Sequence, residues 1–235
     1  MTTTSLNQLV YELLELRRAQ LKITDPIDRR LVIDWIQTQR ARLLEQKFRK
    51  PFRDIDENLV QDLGADLELE QVSANDLDIT DYKYILRTVD EIPMTIDRPG
   101  GIGTFTRIGP PNKNEPGYKV VNYNSSHFKG NGHFSRNDIF AFRLGDHICL
   151  TSKSGYHLGM QYLHIRGVFQ DAVAAAQFAD ATWTYADNYP INKSLIDQLK
   201  TLIVQEKFNL TLIQPEDQVD DSQDKPTTNV DLQKG

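Results

Sequence analysis

The chain has 235 residues, 39% of them hydrophobic, with a net charge of −6 and one cysteine. This length supports one large domain, or one core with an inserted module, without disulfides or metal ions to hold it. The single cysteine excludes an intramolecular disulfide and is typical of a reducing compartment. No apolar run approaches the ~20 residues of a membrane span, and the first residues show no signal-peptide pattern, so we expect a cytosolic protein without membrane contact.

Charge is unevenly distributed along the chain. Residues 1–50 contain ten Lys and Arg against six Asp and Glu, whereas residues 54–91 contain two against twelve. The last stretch, 214–235, is acidic again. Such separation is usually a sign of solvated surfaces. The functional interpretation is a pair of complementary surfaces on neighbouring copies or partners.

Two helices are predicted at the start of the chain. The spacing of apolar residues indicates a helix over 5–22, capped by Ser5. A second helix is predicted to begin at Thr24-Asp25-Pro26, with Asp25 as its N-cap, and to end before Pro51. Because the link is short, we expect an antiparallel hairpin of helices. The second helix carries the basic residues Arg29, Arg30, Arg40, Arg42, Lys47 and Arg49.

A short helix and then a sheet are predicted next. Asp54 or Asp56 suits the cap of a helix that continues to Leu63. The pattern then becomes rich in β-forming residues, with turn residues such as Leu144-Gly145-Asp146-His147 at hairpin-like intervals. We therefore expect a small antiparallel sheet over residues 82–169.

Helical pattern returns after the sheet. Asp171 is expected to cap an alanine-rich helix, and residues 192–208 give a second helix with one apolar face. The tail has too few apolar residues to pack into a core. The order of elements predicts an α+β fold with an adaptor-like helical core from residues 1–81 and 170–213, an inserted antiparallel β module over 82–169, and an extended acidic C-terminal arm over 214–235.

The stretch "RPGGIGTFTRIGPP" at 98–111 raises the question of a phosphate-binding loop. A Walker-type loop requires a lysine after the glycines, and the dinucleotide fingerprint requires a third glycine that opens a helix. Here Gly101-Ile102-Gly103 leads into Thr104-Phe105-Thr106, and Pro110-Pro111 excludes a helix. The sequence therefore predicts a glycine turn that leads into a short strand.

Patterns for catalysis or metal binding are also missing from the sequence. There is no G-x-S-x-G or H-E-x-x-H motif, and the spacing of the five histidines matches no common zinc pattern. Cys149 is expected to be a small buried residue rather than a nucleophile. No helix-turn-helix, RNP or finger pattern is present, so only passive contact with DNA is expected. We expect no enzyme, no cofactor and no metal site.

Eight phrases occur in order along nearly the whole chain. They are "DRRLVIDWIQTQRARLLEQKF" (28–48), "DENLVQDLG" (56–64), "YILRTVDEIP" (84–93), "TRIGP" (106–110), "GNGHF" (130–134), "IFAF" (139–142), "IRGVFQDA" (165–172) and "LIQPEDQ" (212–218). Together they resemble a structural protein of crAss-like tailed bacteriophages, a podovirus-like group. The resemblance implies a head-to-tail connector, which is an adaptor or ring protein in the tail barrel below the portal.

Such a connector implies a ring, often of twelve copies, that surrounds the DNA channel, with a C-terminal arm that grips the portal. The implied partners are copies of itself, the portal protein, further tail ring proteins and, passively, packaged DNA. The basic region 1–50 and the acidic region 54–91 would then be the two sides of each subunit. The candidate interface residues are Arg29, Arg30, Arg40, Arg42, Arg107, Gln214, Pro215, Glu216 and Asp217.

The leading hypothesis is therefore a virion structural protein that links portal to tail and that assembles in the host cytoplasm. The alternative hypothesis is a phage-encoded soluble intracellular binding or regulatory module, which a strictly monomeric protein with a small ligand or host factor would favour. An enzyme ranks third because no chemical motif is present.

Overall fold

The computed structural model shows an α+β fold, as predicted. It describes residues 4–21, 27–49, 55–77, 79, 82–98, 102–132 and 134–208. The helices are α1 (Leu6–Leu21), α2 (Arg29–Phe48), α3 (Tyr123–Ser126), α4 (Ala172–Ala179) and α5 (Lys193–Ile203). The strands are β1 (Gln61–Asp62), β2 (Leu67–Ser73), β3 (Tyr84–Thr88), β4 (Asp97–Arg98), β5 (Ile102–Gly103), β6 (Phe105–Gly109), β7 (Lys119–Val120), β8 (Phe140–Leu144), β9 (His147–Thr151) and β10 (Tyr162–Gly167).

The first two helices begin at side-chain caps. The Ser5 hydroxyl accepts the N–H of Gln8 at 3.2 Å, so Ser5 caps α1 as predicted. α2 begins later than the sequence indicated, because the Asp28 carboxylate accepts the N–H of Arg30 at 2.9 Å and so forms the N-cap. The predicted cap, Asp25, lies outside the described residues. α2 ends at Phe48, as predicted.

The segment before residue 64 does not form the predicted helix. A single 3-10 turn, Glu57–Leu59, is capped by Asp56, and the chain then enters β1. In β1, Gln61 lies opposite Gly167 of β10. The hydrogen bonds of this segment therefore go to a strand distant in sequence, and local helix propensity does not decide its structure.

The sheet begins at Gln61, before the predicted start at residue 82. Within the segment expected to belong to the helical core, β2 pairs antiparallel with both β10 and β3. The alternating run Leu67-Glu68-Leu69-Glu70 is a strand pattern of period two, and it is the signal from which β2 could have been predicted.

The main sheet has eight strands and is mixed rather than purely antiparallel. Its order is β1-β10-β2-β3-β9-β8-β7, and β6 also pairs with β10. All pairs are antiparallel except β7 and β8, which are parallel. The connection between β7 and β8, in which residues 121–132 and 134–139 are described, includes α3 and lets the two strands run in the same direction.

The sheet curls until its edge strands, β6 and β7, lie next to each other. The N–H of Tyr118, just before β7, donates to the carbonyl of Ile108 in β6 at 2.6 Å. A Cβ on Gly117 would lie 3.1 Å from this carbonyl oxygen, and a Cβ on Gly109 would lie 3.1 Å from the Cα of Gly117, so both positions favour glycine. The interior is filled by buried apolar side chains, including Leu63, Leu67, Leu86, Ile108, Ile148, Leu150, Leu163 and Ile165.

The helices pack at the end of the curled sheet where β10 finishes. Val168, directly after β10, and Ile96, directly before β4, belong to one buried cluster with residues of α1, α2 and α5. Three segments lie at the opposite end, where β8 and β10 begin: 110–118, the described residues of 128–138 (128–132 and 134–138), and 152–161. We refer to these three segments as the loop end.

The glycine-rich stretch at 98–111 contains a strand and a buried threonine that hydrogen-bonds to two other segments. Its short strand is β6, as predicted, while the glycine turn at 99–101 lies outside the described residues. Thr104 is completely buried, and its hydroxyl oxygen lies 2.8 Å from the carbonyl oxygens of both Ile96 and Val168. The stretch therefore joins the sheet to the helical layer.

His157, in the 3-10 helix Tyr156–Gly159, is 1% exposed. Burial lowers its pKa from 6.5 to about 4, so the ring is neutral in the folded protein at pH 7. An unfolded chain takes up a proton at this histidine below pH 6.5, whereas the folded chain resists protonation down to about pH 4.

We expect the free energy of unfolding to fall by about 3 kcal/mol between pH 6.5 and pH 4 through this residue. The contribution of neutral His157 to the free energy of unfolding is complete above pH 6.5 and is lost as the pH falls to about 4. Urea denaturation at several pH values, for the natural chain and for His157→Leu, measures it. Equal pH dependence of the two proteins would show that His157 is not the group responsible.

Candidate assembly surfaces

Arg40 was a candidate interface residue, and the structure places it in the interior. It is 1% exposed, its Nε donates to the carbonyl of Pro190, and its Nη1 donates to the carbonyl of Phe169, both at 2.9 Å. The guanidinium carbon also lies 5.6 Å from the ring centroid of Tyr189. Burial lowers the pKa of Arg40. Arg40 therefore connects parts of one subunit and is not available to a neighbour.

The position of Arg40 within α2 contains the signal that indicates this role. It lies four residues after Ile36 and four residues before Leu44, and both are completely buried. Side chains at this spacing share one helix face. An arginine on that stripe indicates a buried polar contact rather than a surface charge.

Arg42 is half exposed and joins α2 to the end of α5. Its Nη1 lies 2.6 Å from Oε1 of Glu206, and the amide nitrogen of Gln39 donates to Oε2 of the same carboxylate at 2.8 Å. Glu206 belongs to the π-helical segment Val204–Phe208 that continues α5. Arg42 thus has an intramolecular partner already.

Arg29 and Arg30 lie side by side at the exposed start of α2. Arg29 donates to the side-chain oxygen of Asn7, and the side chain of Arg30 has no partner within the described part of the chain. The next residue, Leu31, is 45% exposed. We call these three residues, Arg29, Arg30 and Leu31, the basic surface.

This arrangement is unfavourable for the isolated helix. The N-terminus of a helix carries a partial positive charge, and each cation placed there costs about 0.3–1 kcal/mol. The Asp28 carboxylate caps the helix, but the first turn itself contains no acidic residue beside Arg29 and Arg30. Positions that disfavour local stability are expected where a residue serves recognition.

An acidic surface lies where β2 begins and β3 ends. The N–H of Val89 donates to the carbonyl of Glu68 at 3.0 Å, and Asp90 and Glu91 follow in the chain. All three acidic side chains are exposed, and none forms an ion pair within the described residues. Val89 is 45% exposed. We call Glu68, Val89, Asp90 and Glu91 the acidic surface.

Arg107 shapes a loop of its own subunit. Its Nη1 donates to the carbonyl of Glu115 at 2.8 Å, and its Nη2 donates to the carbonyl of Asn112 at 3.0 Å. Its Nε donates to Nδ1 of His164 at 3.2 Å. Arg107 therefore holds residues 110–117 in place, and most of its donors are occupied.

A polar network extends from Arg107 across the sheet. Because Nδ1 of His164 accepts from Arg107, its Nε2–H donates to the Asp62 carboxylate at 2.8 Å. Lys113 donates to the other oxygen of Asp62, also at 2.8 Å. Burial raises the pKa of Asp62, but hydrogen bonds from Lys113, Gly64 and His164 outweigh it and lower this pKa. The network fixes the loop that follows β6.

The structure thus brings Arg29 and Arg30 together and separates them from Arg40, Arg42 and Arg107. The arm residues Gln214, Pro215, Glu216 and Asp217 lie outside the described residues. No local pattern indicates that Glu68 and Val89 are neighbours, because their proximity depends on the register between β2 and β3.

Within the described part of the chain, no group of three His, Cys, Asp or Glu side chains could hold a metal ion. Cys149 is completely buried, as predicted, and burial raises the pKa of its thiol to about 12, so the nucleophilic thiolate is suppressed. Among the helices described, none is long and apolar enough to span a bilayer.

Comparison with known protein families shows which family the chain belongs to. A model of the family "Phage tail ring protein 2", from crAss-like phages, matches residues 8–226. The chain belongs to this family. None of the curated proteins compared with it matches. The family resemblance seen in the sequence is confirmed, and with it a structural ring protein of the phage tail that assembles with its own copies and with other tail proteins in the virion.

For this ring protein we predict that Arg40→Ala lowers the free energy of unfolding by about 3–5 kcal/mol. The change leaves two buried carbonyl groups without their donor and opens a cavity. Arg40→Lys should recover only part of the loss, because one ammonium cannot reproduce the fork of a guanidinium. Urea denaturation measures both values.

The matched control is Arg42→Ala, two residues further along the same helix. Its ion pair is half exposed, so removal should cost at most about 1 kcal/mol. Similar losses for the two alanine variants would contradict the structural role that we assign to Arg40.

Proposed function

We propose that this ring protein links the portal to the tail of a podovirus-like phage and surrounds the DNA exit channel. The observation that carries the proposal is the family match over residues 8–226. Twelve copies are proposed because the connectors that the sequence resembles often use that number. Contact with packaged DNA is proposed to be passive, since no sequence-reading motif is present.

The contact between copies is proposed to join the basic surface of one subunit to the acidic surface of the next. In a closed ring with head-to-tail contacts, each subunit presents two different surfaces. The basic and acidic surfaces have opposite charge, and each has an exposed aliphatic side chain beside its charges, Leu31 or Val89. An apolar contact ringed by charges provides affinity at its centre and orientation at its rim.

The C-terminal arm, residues 214–235, is proposed to contact the portal. Its composition supports this assignment, because it is acidic and has very few large apolar residues. A segment of this kind gains order when a partner binds it, and it contributes little to the stability of its own subunit.

A charge-reversal experiment tests the contact between copies. We expect Arg29→Glu with Arg30→Glu to reduce incorporation of the chain into virions at least tenfold, because like charges would then face each other. The same change should leave folding stability equal or higher by up to about 1 kcal/mol, since glutamate suits the start of a helix. Quantitative mass spectrometry of particles and thermal unfolding give the two readouts.

The complementary change is Asp90→Lys with Glu91→Lys, and the decisive variant combines all four substitutions. Each pair alone should block incorporation, and the combination should restore it because the charges are exchanged across the interface. Reversing Glu15 and Arg18, which pair with each other on α1, is the control and should change nothing. If the combined variant is as defective as either pair, the proposed contact is wrong.

A further inference from the structure

The loop end carries three large aromatic side chains that are almost fully exposed. Phe134 is 97% exposed, Phe128 79% and Tyr156 78%. The segments that carry Phe134 and Tyr156 are joined by the N–H of Ser154, which donates to the carbonyl of Arg136 at 3.2 Å. Large aromatic side chains exposed at the same end of a fold indicate an interaction site. We call Phe128, Phe134 and Tyr156 the aromatic surface.

The surroundings of the aromatic surface are basic. Residues 102–167 contain eight Lys and Arg and three Asp and Glu, although the whole chain is acidic. Lys129 directly follows Phe128, Arg136 lies two residues after Phe134, and both are exposed. A partner that fits this region combines apolar residues with negative charge.

A DNA duplex supplies the charge but not the apolar surface. Its bases are stacked inside the helix, and it presents phosphates to proteins that bind without reading sequence. Aromatic side chains gain energy by stacking on the free bases of single strands. The exposed aromatic surface therefore favours a protein partner over a duplex in the channel.

Residues 209–221 of this chain, "NLTLIQPEDQVDD", have the required composition. Leu210, Leu212 and Ile213 come first, and Glu216, Asp217, Asp220 and Asp221 follow without any lysine or arginine between them. We propose that residues 209–221 of one copy bind the aromatic surface of the neighbouring copy, with the leucines and isoleucine on the rings and the carboxylates near Lys129 and Arg136. This inference rests on ring assembly as described under the proposed function.

The number of residues between Phe208 and Ile213 indicates that residues 209–221 contact the aromatic surface of a neighbouring copy rather than that of their own copy. Phe208 packs against Trp35 in the helical layer, with ring centroids 6.1 Å apart. Ile213 follows five residues later, so an extended chain carries it at most about 18 Å. β10 extends about 17 Å from Tyr162 to Gly167. The helical layer lies beyond one end of this strand and the aromatic loops lie beyond the other, so the separation exceeds the reach of five residues. In the proposed ring, a head-to-tail neighbour would place its loop end within this reach. The portal contact proposed above for residues 214–235 then narrows to residues 222–235.

The test uses a fluorescein-labelled synthetic peptide of residues 209–221 and the full-length chain. We expect saturable binding by fluorescence anisotropy that weakens as salt rises. Phe134→Ala, and separately Lys129→Glu with Arg136→Glu, should weaken binding at least tenfold. Tyr11→Ala is the matched control, because Tyr11 is 65% exposed on α1, away from the loop end, and it should leave binding unchanged. Equal thermal unfolding of all variants shows that the fold is intact.

Absence of peptide binding, or equal binding by the natural chain and the loop-end variants, would overturn the inference. So would a 20-base-pair DNA duplex that binds the natural chain and shows the same losses. Carbodiimide cross-linking of mixed ¹⁴N and ¹⁵N full-length chains should link Lys129 to the acidic residues of another copy, and links confined to one copy would also overturn it. Incorporation of the chain into virions is measured separately, so failure here leaves the ring proposal standing.

Discussion

The buried guanidinium of Arg40 is the contact on which the arrangement of the subunit depends. It accounts for two carbonyl groups from different parts of the chain, Phe169 after β10 and Pro190 before α5. An arginine in the interior is costly unless hydrogen bonds compensate its burial, so its presence fixes the geometry around it. Because Arg40 belongs to α2, the same contact fixes how the start of that helix is presented.

Several features of the subunit are unfavourable until it meets a partner. Two arginines occupy the positive end of α2, three acidic side chains surround Val89 without an intramolecular ion pair among the described residues, and the aromatic surface is exposed to water. None of these features improves the stability of an isolated chain. In the contacts that we propose between copies, each of these features has a counterpart, which is why we interpret them together.

Local patterns predicted the helices well and the sheet only in part. The Ser5 and Asp171 caps and the end of α2 follow from short-range rules, and the structure confirms them. The segment that ends at Leu63 was predicted as a helix, yet only the 3-10 turn Glu57–Leu59 forms, and Gln61 and Asp62 pair with β10, whose residues lie about a hundred positions later. Such pairing depends on tertiary context that no local window contains.

The functional residues were predictable to a similar degree. The arginines at the start of α2 can be recognised in the sequence. The burial of Arg40 can be predicted only if its position on the apolar face of α2 is given more importance than its charge. The aromatic surface escaped prediction, because only the strand order places the segments that carry Phe128, Phe134 and Tyr156 at the same end of the sheet. The family itself was predictable from the sequence alone, through the phrases that resemble ring proteins of crAss-like phages.

A cryo-microscopy reconstruction of the tail below the portal tests the central claim most directly. The account predicts a closed ring in which Arg29 and Arg30 of each copy lie within ion-pair distance of Asp90 and Glu91 of the next copy. A ring in which both surfaces face solvent, or particles that lack this chain, would contradict it.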